Sequence, residues 1–241
     1  MSLVLSIDDF DLPEFCNIAR DFGVTKFGYV VTANTDHLIR YSEDERFRKL
    51  YADASYVLLD SQFLSYLLRL FRGVKFKVCP GSDLTARIFS QVILPEDSVV
   101  LFGATPEQAQ TLKSRFNLRR FQHINPKMGF INDAAAVQQC LAQIEAASPF
   151  RYCFLAVGSP QQEIIAAQLR ERGIARGLAL CVGASIDFMT GAERRAPPWL
   201  RRIGCEWLYR LLQNPGRLAH RYLVRGPRIF MLLPLFNMRS R

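Results

Sequence analysis

The sequence predicts an α/β fold: a Rossmann-like, mostly parallel sheet with helices on both faces, followed by a basic, amphipathic, helical C-terminal appendage. Short apolar runs rich in β-branched and aromatic residues alternate with helical patterns over residues 27–182. Several of these runs are apolar on both faces, as parallel strands covered by helices are. The excess basic residues all lie in the last fifty residues, where apolar residues recur at helical spacing.

The individual elements follow from this alternation. The predicted strands are 27–31, 56–59, 74–79, 98–102, 119–124, 152–157 and 178–182. The predicted helices are 34–51, 61–72, 83–93, 105–116, 131–147 and 161–172. Pro106 suits a first helical turn, and Ser82–Asp83 offers an N-cap. This order predicts a doubly wound sheet, whose ligands bind beyond the carboxyl ends of the strands.

Charge divides the chain into two parts. The 241 residues include 31 basic and 22 acidic ones, a net charge of +9. Residues 192–241 hold eleven Arg, no Lys and two Glu, so they carry the whole excess. We therefore predict a neutral α/β domain over 1–191 and a basic appendage over 192–241. A uniformly basic nucleic-acid-binding domain would not have this pattern, and no nucleic-acid partner is predicted.

Composition excludes several other classes of protein. Apolar residues make up 49% of the chain, which excludes a disordered or fibrous protein. The six Cys are scattered and the three His share no metal-ligand spacing, so reduced core cysteines and no metal site are expected. No secretory signal is evident at the N-terminus. The apolar run Ile229–Phe236 is far shorter than the roughly 20 residues of a spanning helix.

The appendage is predicted as one helix over 199–212, a break at Asn214–Gly216, a short helix over 217–224 and a second break at Gly226–Pro227. Its two tryptophans, Trp199 and Trp207, suit core packing at least as well as a membrane surface. The Ile229–Phe236 run, flanked by cations, favours contact with an anionic membrane surface.

Polar residues follow the first two strands of the predicted sheet. Thr32 and Asn34 suit either capping of the next helix or hydrogen bonding to a polar ligand. Asp60 suits either a cap of helix 61–72 or a general base at the mouth of a cleft, and spacing alone favours the cap.

Later strand ends carry further candidates. Gly103 and the helix start after it allow a close approach of backbone to a phosphate. Gly158 and Pro160 form a strand-to-helix turn, and Gln162 suits a bridge to sugar hydroxyls or to a diphosphate. Asp187 suits hydrogen bonds to a base or ribose, or a structural cap.

Together these segments resemble the WecG/TagA/CpsF family of bacterial glycosyltransferases over roughly residues 25–225. The motifs that carry the resemblance are T-x-N (Thr32, Asn34), the strand-terminal Asp60, G-x-D-L (81–84), G-x-P-x-Q-E (158–163), V-G-x-x-x-D-F-x-x-G (182–191), R-A-P-x-W (195–199), G-x-E-W-L-x-R-L (204–211) and R-Y (221–222).

The resemblance implies transfer of a sugar from a UDP-sugar to a polyprenyl-diphosphate-linked saccharide, at the inner face of the cell membrane. It implies that Asp60 is the general base, that Thr32 and Asn34 line its pocket, and that Gln162 positions donor or acceptor. A homo-oligomer is also consistent with the family.

The donor site follows from the same resemblance. Asp187 matches a uridine-pocket aspartate. Phe130 lies near the position at which the family often has an aromatic residue suited to stacking on uracil. Arg210, Arg217 and Arg221 match arginines that close over the diphosphate. Three departures stand out, each a replacement of a common family residue: Ser61 for a glycine, Gln161 for a lysine, and Lys77 as the nearest cation where an arginine precedes G-x-D-L.

A mechanism without metal or other cofactor is predicted. The D-x-D sequence Asp9–Asp11, a pattern typical of metal-dependent glycosyl transfer, precedes the sheet. Arginines and helix N-termini suit stabilisation of a leaving diphosphate in place of a metal. The expected reaction is therefore inverting and metal-independent. The alternative is a Rossmann-type nucleotide-binding oxidoreductase, but the sequence lacks the glycine fingerprint of that class.

Overall fold

Six parallel strands form the central sheet, in the order β3-β2-β7-β6-β4-β5. The structure is a computed structural model that describes residues 3–240, with the backbone alone for 237–240. The strands are β2 (Phe27–Ala33), β3 (Tyr56–Leu59), β4 (Ser98–Gly103), β5 (Arg120–Ile124), β6 (Tyr152–Ala156) and β7 (Gly177–Cys181). The predicted α/β class with a mostly parallel sheet is confirmed.

Helices cover both faces of this sheet, because successive strand side chains alternate between two cores. Tyr29 and Val31 belong to one core, whereas Val30 belongs to the other. The first core is covered by α2 (Thr35–Glu43), α3 (Glu45–Ala52), α4 (Gln62–Arg72), α7 (Ala134–Ala146) and α8 (Gln161–Arg172). The second is covered by α1 (Leu12–Asp21), α5 (Gly81–Arg87), α6 (Pro106–Arg115) and α9 (Ser185–Thr190).

The connectivity of the strands determines where a ligand can bind. The chain builds β2 and β3 in one half of the sheet and β4 and β5 in the other, and then fills the gap with β6 and β7. The segments that follow β2, β3, β6 and β7 therefore meet beyond the same edge of the sheet. Such a reversal of strand order is where doubly wound folds bind ligands.

A second, two-stranded sheet joins the two ends of the described chain. Its strands, β1 (Leu3–Ile7) and β8 (Phe236–Ser240), are parallel, with Leu3 opposite Phe236. Neither β1, β8 nor α1 was expected from the sequence. A signal for α1 is present, since Asp11 and Glu14 form a reciprocal capping box at its start (3.0 and 2.8 Å).

The predicted strand 74–79 is wrong. This segment does not form a ladder with the edge strand β3. Cys79 N–H donates to the carbonyl of Leu59, at the end of β3 (2.8 Å), but Lys77 N–H donates to the Asp9 carboxylate (2.7 Å). The side chain of Asp9 thus takes a donor that a paired strand would need.

Two predicted helices begin or divide differently in the structure. The helix expected over 34–51 is split at Asp44, whose side chain caps α3 through Arg46 N–H (2.8 Å). The helix expected over 83–93 begins at Gly81, after Pro80, and continues through a π-helical turn over Ile88–Val92. The predicted Ser82–Asp83 cap is therefore wrong, because both residues lie inside the first turn.

The appendage is helical, as predicted, but it is divided differently. Its elements are α10 (Pro198–Arg202), α11 (Glu206–Gln213), α12 (Pro215–Ala219), a π-helical stretch His220–Arg225, the 3₁₀ turn Gly226–Arg228, α13 (Ile229–Leu232) and the 3₁₀ turn Leu233–Leu235. Gly204, at a φ of 77°, interrupts the single helix that was expected. A side chain there would lie 3.0 Å from the backbone of Phe63.

Of the two predicted breaks, the first is confirmed and the second is wrong. Asn214 ends α11 with a non-helical backbone, and Pro215 starts α12. Gly226 instead keeps helical torsion angles (φ −52°, ψ −45°), and Pro227 starts the next turn, where the missing N–H costs little. The boundary between domain and appendage at residue 191 remains a prediction.

The apolar run at the end of the appendage has two faces. Ile229, Leu233 and Phe236, at helical spacing, are buried in the core beside α2 and α4, so membrane contact by these three residues is wrong. Phe230 and Met231 are exposed, as is Leu235. Within residues 3–240, no helix combines the length and the apolar character that crossing a bilayer requires.

Candidate active site

A cavity of about 1110 Å³ opens beyond the carboxyl ends of the strands, at the reversal of strand order. Its floor comes from the segments after β2, β3, β6 and β7, and its cover comes from the appendage. The predicted site residues that line it are Thr32, Asn34, Asp60, Gly158, Gln162, Arg210, Arg217 and Arg221. The fold thus brings together eight predicted residues that are widely separated in the chain.

Asp60 is held at the floor by two hydrogen bonds. Its Oδ1 accepts from the Gly81 N–H (2.7 Å), and the Asn34 side chain also hydrogen-bonds to it. The cap of α4 is Ser61, whose Oγ accepts from the Leu64 N–H (3.1 Å). The cap interpretation of Asp60 is therefore wrong, and its carboxylate is available to the cavity.

Asn34 serves both interpretations that the sequence left open. Its Oδ1 caps α2 by accepting from the N–H groups of Asp36 and His37 (3.1 and 3.2 Å). Since the oxygen is used in this way, the amide nitrogen is the group that faces Asp60. The cap thereby orients a donor onto the carboxylate, with Thr32 beside it in the lining.

Two carboxyl groups in the cavity have raised pKa values. Burial raises the pKa of Asp60 despite the opposing hydrogen bonds and the guanidinium groups of Arg210 and Arg195. Burial also raises the pKa of Glu206, and the charge of Asp60 adds to the effect. Glu206 was not among the predicted site residues, although an acid within the arginine-rich appendage, inside G-x-E-W-L, was a visible signal.

Arginines form the wall opposite the floor. Arg195 makes a bidentate pair with Asp83 (2.5 and 2.9 Å), and Arg201 lies 3.2 Å from the same carboxylate. Arg217 pairs with Glu193 (2.6 Å). The predicted cap residue Asp83 therefore serves to fix two arginines of the cavity.

Two further arginines have looser anchors. Arg210 lies 4.0 Å from Glu193, with its guanidinium 5.4 Å from the centre of the Phe188 ring. Arg221 lies 3.6 Å from Asp36. Weak anchoring of this kind leaves their donors available for another anion.

Several buried donors of this wall have no hydrogen-bond partner. They are the Nε atoms of Arg195, Arg201, Arg210 and Arg221 and the indole Nε1 of Trp207. These atoms are closed to solvent, so a ligand in the cavity meets the other guanidinium nitrogens of Arg210 and Arg221, whose side chains are partly exposed. Those nitrogens suit a ligand rich in acceptor oxygens. A diphosphate has that character.

The acid and imidazole at the start of α2 complete this side of the cavity. His37 Nδ1 shares a 2.7 Å hydrogen bond with the Tyr51 hydroxyl. Burial, reinforced by the positive charge of Arg221, lowers the pKa of His37 to about 4, so the ring is neutral near pH 7. Burial opposes ionisation of Asp36, but Arg221 and Arg40 outweigh it and keep its pKa below the ordinary value.

Gln162 is pinned at the floor by its neighbours. Its Oε1 accepts from the Gly183 N–H (2.8 Å) and its Nε2 donates to Glu163 (2.9 Å). Gly158, at a φ of 78°, makes the turn before it without any steric conflict. Pro160 precedes α8 as predicted but does not line the cavity.

Four other predicted residues lie outside the lining of this cavity. Lys77 is exposed and pairs with Glu14, 2.5 Å away. Gly103 is buried against β6, where an added Cβ would lie 2.9 Å from the Ala156 backbone.

Phe130 is buried edge-on against Phe102, with ring centres 5.6 Å apart. Asp187 accepts a hydrogen bond from the Gln108 side chain (2.8 Å). The ligand roles of Lys77, Gly103, Phe130 and Asp187 stay predictions.

The comparison with known families agrees with this geometry. A family model described as the glycosyl transferase WecG/TagA/CpsF family matches residues 2–241. Nothing in this match favours the oxidoreductase alternative. Over the described residues 3–240, no group of three or more His, Cys, Asp or Glu is placed to hold a metal ion. The chain belongs to the WecG/TagA/CpsF family and is a glycosyltransferase of surface-polysaccharide synthesis.

Proposed function

We propose that this protein transfers a sugar from a UDP-sugar to a polyprenyl-diphosphate-linked saccharide, with inversion and without a metal ion. One observation carries the proposal: the Asp60 carboxylate on the floor faces a wall of arginines, of which Arg210 and Arg221 are only loosely anchored to acids. The first group suits removal of a proton, and the second suits a diphosphate that gains charge.

The chemical step needs one proton acceptor and one anion site. The acceptor hydroxyl oxygen forms a bond to the anomeric carbon from the side opposite the leaving group, and its proton passes to Asp60. The bond between the anomeric carbon and the diphosphate oxygen breaks, and both of its electrons leave with UDP. Arg210, Arg217 and Arg221 stabilise the charge that develops on this diphosphate.

The floor residues orient the two substrates. Thr32 and Asn34 lie beside Asp60, and the Asn34 amide orients the carboxylate for removal of the proton. Gln162 contacts donor or acceptor from the start of α8, after β6. Asp187 and Phe130 remain our candidates for the uridine side, together with Gly103 and Lys77 for the approach to the phosphates.

The mouth of the cavity suits a lipid-linked acceptor. Phe63, Leu223 and Phe230 line the outer part of the cavity, and Phe230 contacts Phe71 of α4 (ring centres 6.1 Å apart). The apolar lip continues into exposed side chains of α4 and the appendage: Tyr66, Leu70, Phe71, Leu223, Val224, Phe230, Met231 and Leu235. We propose that this surface contacts the inner face of the cell membrane, with a second copy of the chain as the competing occupant.

The test is a screen of UDP-sugars against a polyprenyl-diphosphate-linked saccharide, with released UDP as the readout. We expect one or more donors to be consumed, and turnover to persist in excess EDTA because the arginines do the work of a metal. Loss of all turnover in EDTA, restored only by a divalent ion, would contradict metal independence.

Asp60→Asn tests the base. The amide keeps the shape and accepts from Gly81, but it takes no proton, so we expect kcat to fall by about 10²- to 10⁴-fold. UDP binding, measured by calorimetry, should be nearly unchanged because the arginine wall is intact. Unchanged turnover in this variant would remove Asp60 from the base role.

A further inference from the structure

A fully buried carboxyl group lies directly beneath Gln162. Glu163 is 0% exposed and does not line the cavity, whereas Gln162 does. The Oε1 atom of Glu163 accepts a hydrogen bond from Gln162 Nε2 at 2.9 Å. Burial raises the pKa of Glu163, and its carboxyl group offers an acceptor oxygen in either protonation state.

These contacts determine the orientation of the Gln162 amide. The Gly183 N–H is a donor, so the atom that it meets 2.8 Å away must be Oε1. The nitrogen then faces Glu163, which accepts one of its two hydrogens. A flipped amide would place two donors against each other at Gly183 and leave the Glu163 contact without a donor from Gln162.

One donor of Gln162 therefore remains for a ligand. The oxygen accepts from a backbone amide and keeps a second lone pair, whereas one N–H is taken by the buried carboxyl, so the second N–H is the donor that is left. Gln162 is 3% exposed and lies in the cavity wall, so the cavity is the side from which a substrate can reach it.

We infer that Glu163 is a positioning residue that makes Gln162 a hydrogen-bond donor to the substrate, so that the atom it meets is an acceptor oxygen of a sugar or of a diphosphate. The inference rests on the proposed function, and the role that it assigns to Glu163 is exerted through Gln162. It assigns a role to a residue that has no contact with the cavity.

A double-mutant cycle tests the inference. Glu163→Leu removes the acceptor at similar size, frees the Gln162 amide to rotate, and should lower kcat/KM by about 10- to 100-fold, as loss of orientation does. Gln162→Leu should lower it by at least as much. With both changes together, the effect should match that of Gln162→Leu alone within about twofold, since a residue that acts through another adds nothing once that partner is gone.

Glu163→Gln is the matched control. Its amide carbonyl can replace the carboxyl oxygen as acceptor, so we expect activity within a few-fold of the wild type. Comparison of Kd for UDP with KM for donor and acceptor distinguishes the two sources of the oxygen: weaker UDP binding indicates the diphosphate, and a raised KM with unchanged UDP binding indicates a sugar. Thermal unfolding of each variant, with Glu163→Met as a second apolar replacement, separates this role from a defect in folding.

Two results would overturn the inference. One is an effect of Glu163→Leu that multiplies fully with that of Gln162→Leu, because the two residues would then act independently. The other is a Glu163→Gln protein as impaired as Glu163→Leu although it folds normally. A wild-type protein that consumes no UDP-sugar would instead contradict the proposed function itself, so the two failures are distinguishable.

Discussion

The pKa of Asp60 is set by influences that oppose one another. Burial raises its pKa, while Arg210 and Arg195 lower it. A base must be ionised to act, so these arginines keep the carboxylate usable in a site that otherwise favours its protonated form. An arginine of this wall therefore has an effect on the floor as well as on a bound anion.

Arg210→Gln should move the acidic limb of the pH profile. Loss of its charge removes a group that lowers the pKa of Asp60, so the folded-state pKa rises and the fall in kcat/KM with decreasing pH begins at a higher pH. Arg217→Gln is the matched control, because Arg217 pairs with Glu193 and is not among the main influences on Asp60.

The readout is kcat/KM over a series of pH values for the wild type and both variants. Both variants should lose absolute activity, but only Arg210→Gln should displace the limb. An equal displacement in both, or a displacement to lower pH, would contradict this account of the Asp60 pKa.

At the scale of elements, the end of the appendage is a helical face used as core. Ile229, Leu233 and Phe236 are 1%, 0% and 0% exposed, although the run that contains them resembles an interfacial segment. The neighbouring Met231 is 70% exposed. Spacing separates Ile229 and Leu233 from Met231, because positions four residues apart share one side of a helical stretch. Phe236, the first residue of β8, extends the buried set.

Leu233→Ala should destabilise the protein by about 2–5 kcal/mol, since it opens a cavity in the core. Met231→Ala, two positions earlier on the exposed side, should change the free energy of unfolding by only about 0.5 kcal/mol. Urea unfolding followed by circular dichroism measures both. Similar values for the two variants would show that the tail does not pack on the body in solution.

At the scale of the whole molecule, five arginines of the appendage pair with three acids of the body. Arg225 and Arg228 pair with Glu43, and Arg225 also lies 3.8 Å from Asp36. Arg195 and Arg201 pair with Asp83. A membrane attraction that depended on Arg225 and Arg228 would thus compete with these pairs, so the exposed apolar side chains carry more of the proposed contact.

Phe230→Glu combined with Met231→Glu should lower binding to vesicles with an anionic lipid by at least several-fold. Two exposed apolar side chains proposed to enter the membrane are replaced by carboxylates, which the lipid head groups repel. Leu94→Glu, at an apolar residue 64% exposed beside the other core, is the control and should bind as the wild type does. Cosedimentation with vesicles measures the binding.

Melting temperatures of the variants check that they stay folded. Point changes are preferable to truncation after Gly226, which would also remove the buried Ile229, Leu233 and Phe236. Undiminished binding by the double variant would contradict the proposed membrane surface and direct attention to a second copy of the chain as its occupant.

The sheet and the cavity floor were predictable, because they depend on local patterns. Apolar runs gave six of the seven strands expected, and the polar residues after them lie together because parallel strands end at one edge. The strand predicted over 74–79 is wrong because the Asp9 carboxylate, which is distant in sequence, takes the Lys77 N–H that a ladder would use.

Long-range partners also explain what the sequence did not reveal of the site. Asp83 has the spacing of a cap, and only the folded chain brings Arg195 to it. Glu206 became a cavity residue because Gly204 turns the chain against Phe63. The resemblance to a family supplied roles for Arg210 and Arg221 that charge and periodicity alone could not assign.

The pairing of β1 with β8 has a consequence for synthesis on the ribosome. β1 has its parallel partner about 230 residues later in the chain. At about 5–20 residues per second, β1 waits roughly 10–50 s with an unpaired edge. Its Leu5 and Ile7, which are buried in the folded protein, lack the cover of β8 during that time. Synthesis of β8, rather than growth of the central sheet, is then the event that closes this part of the fold.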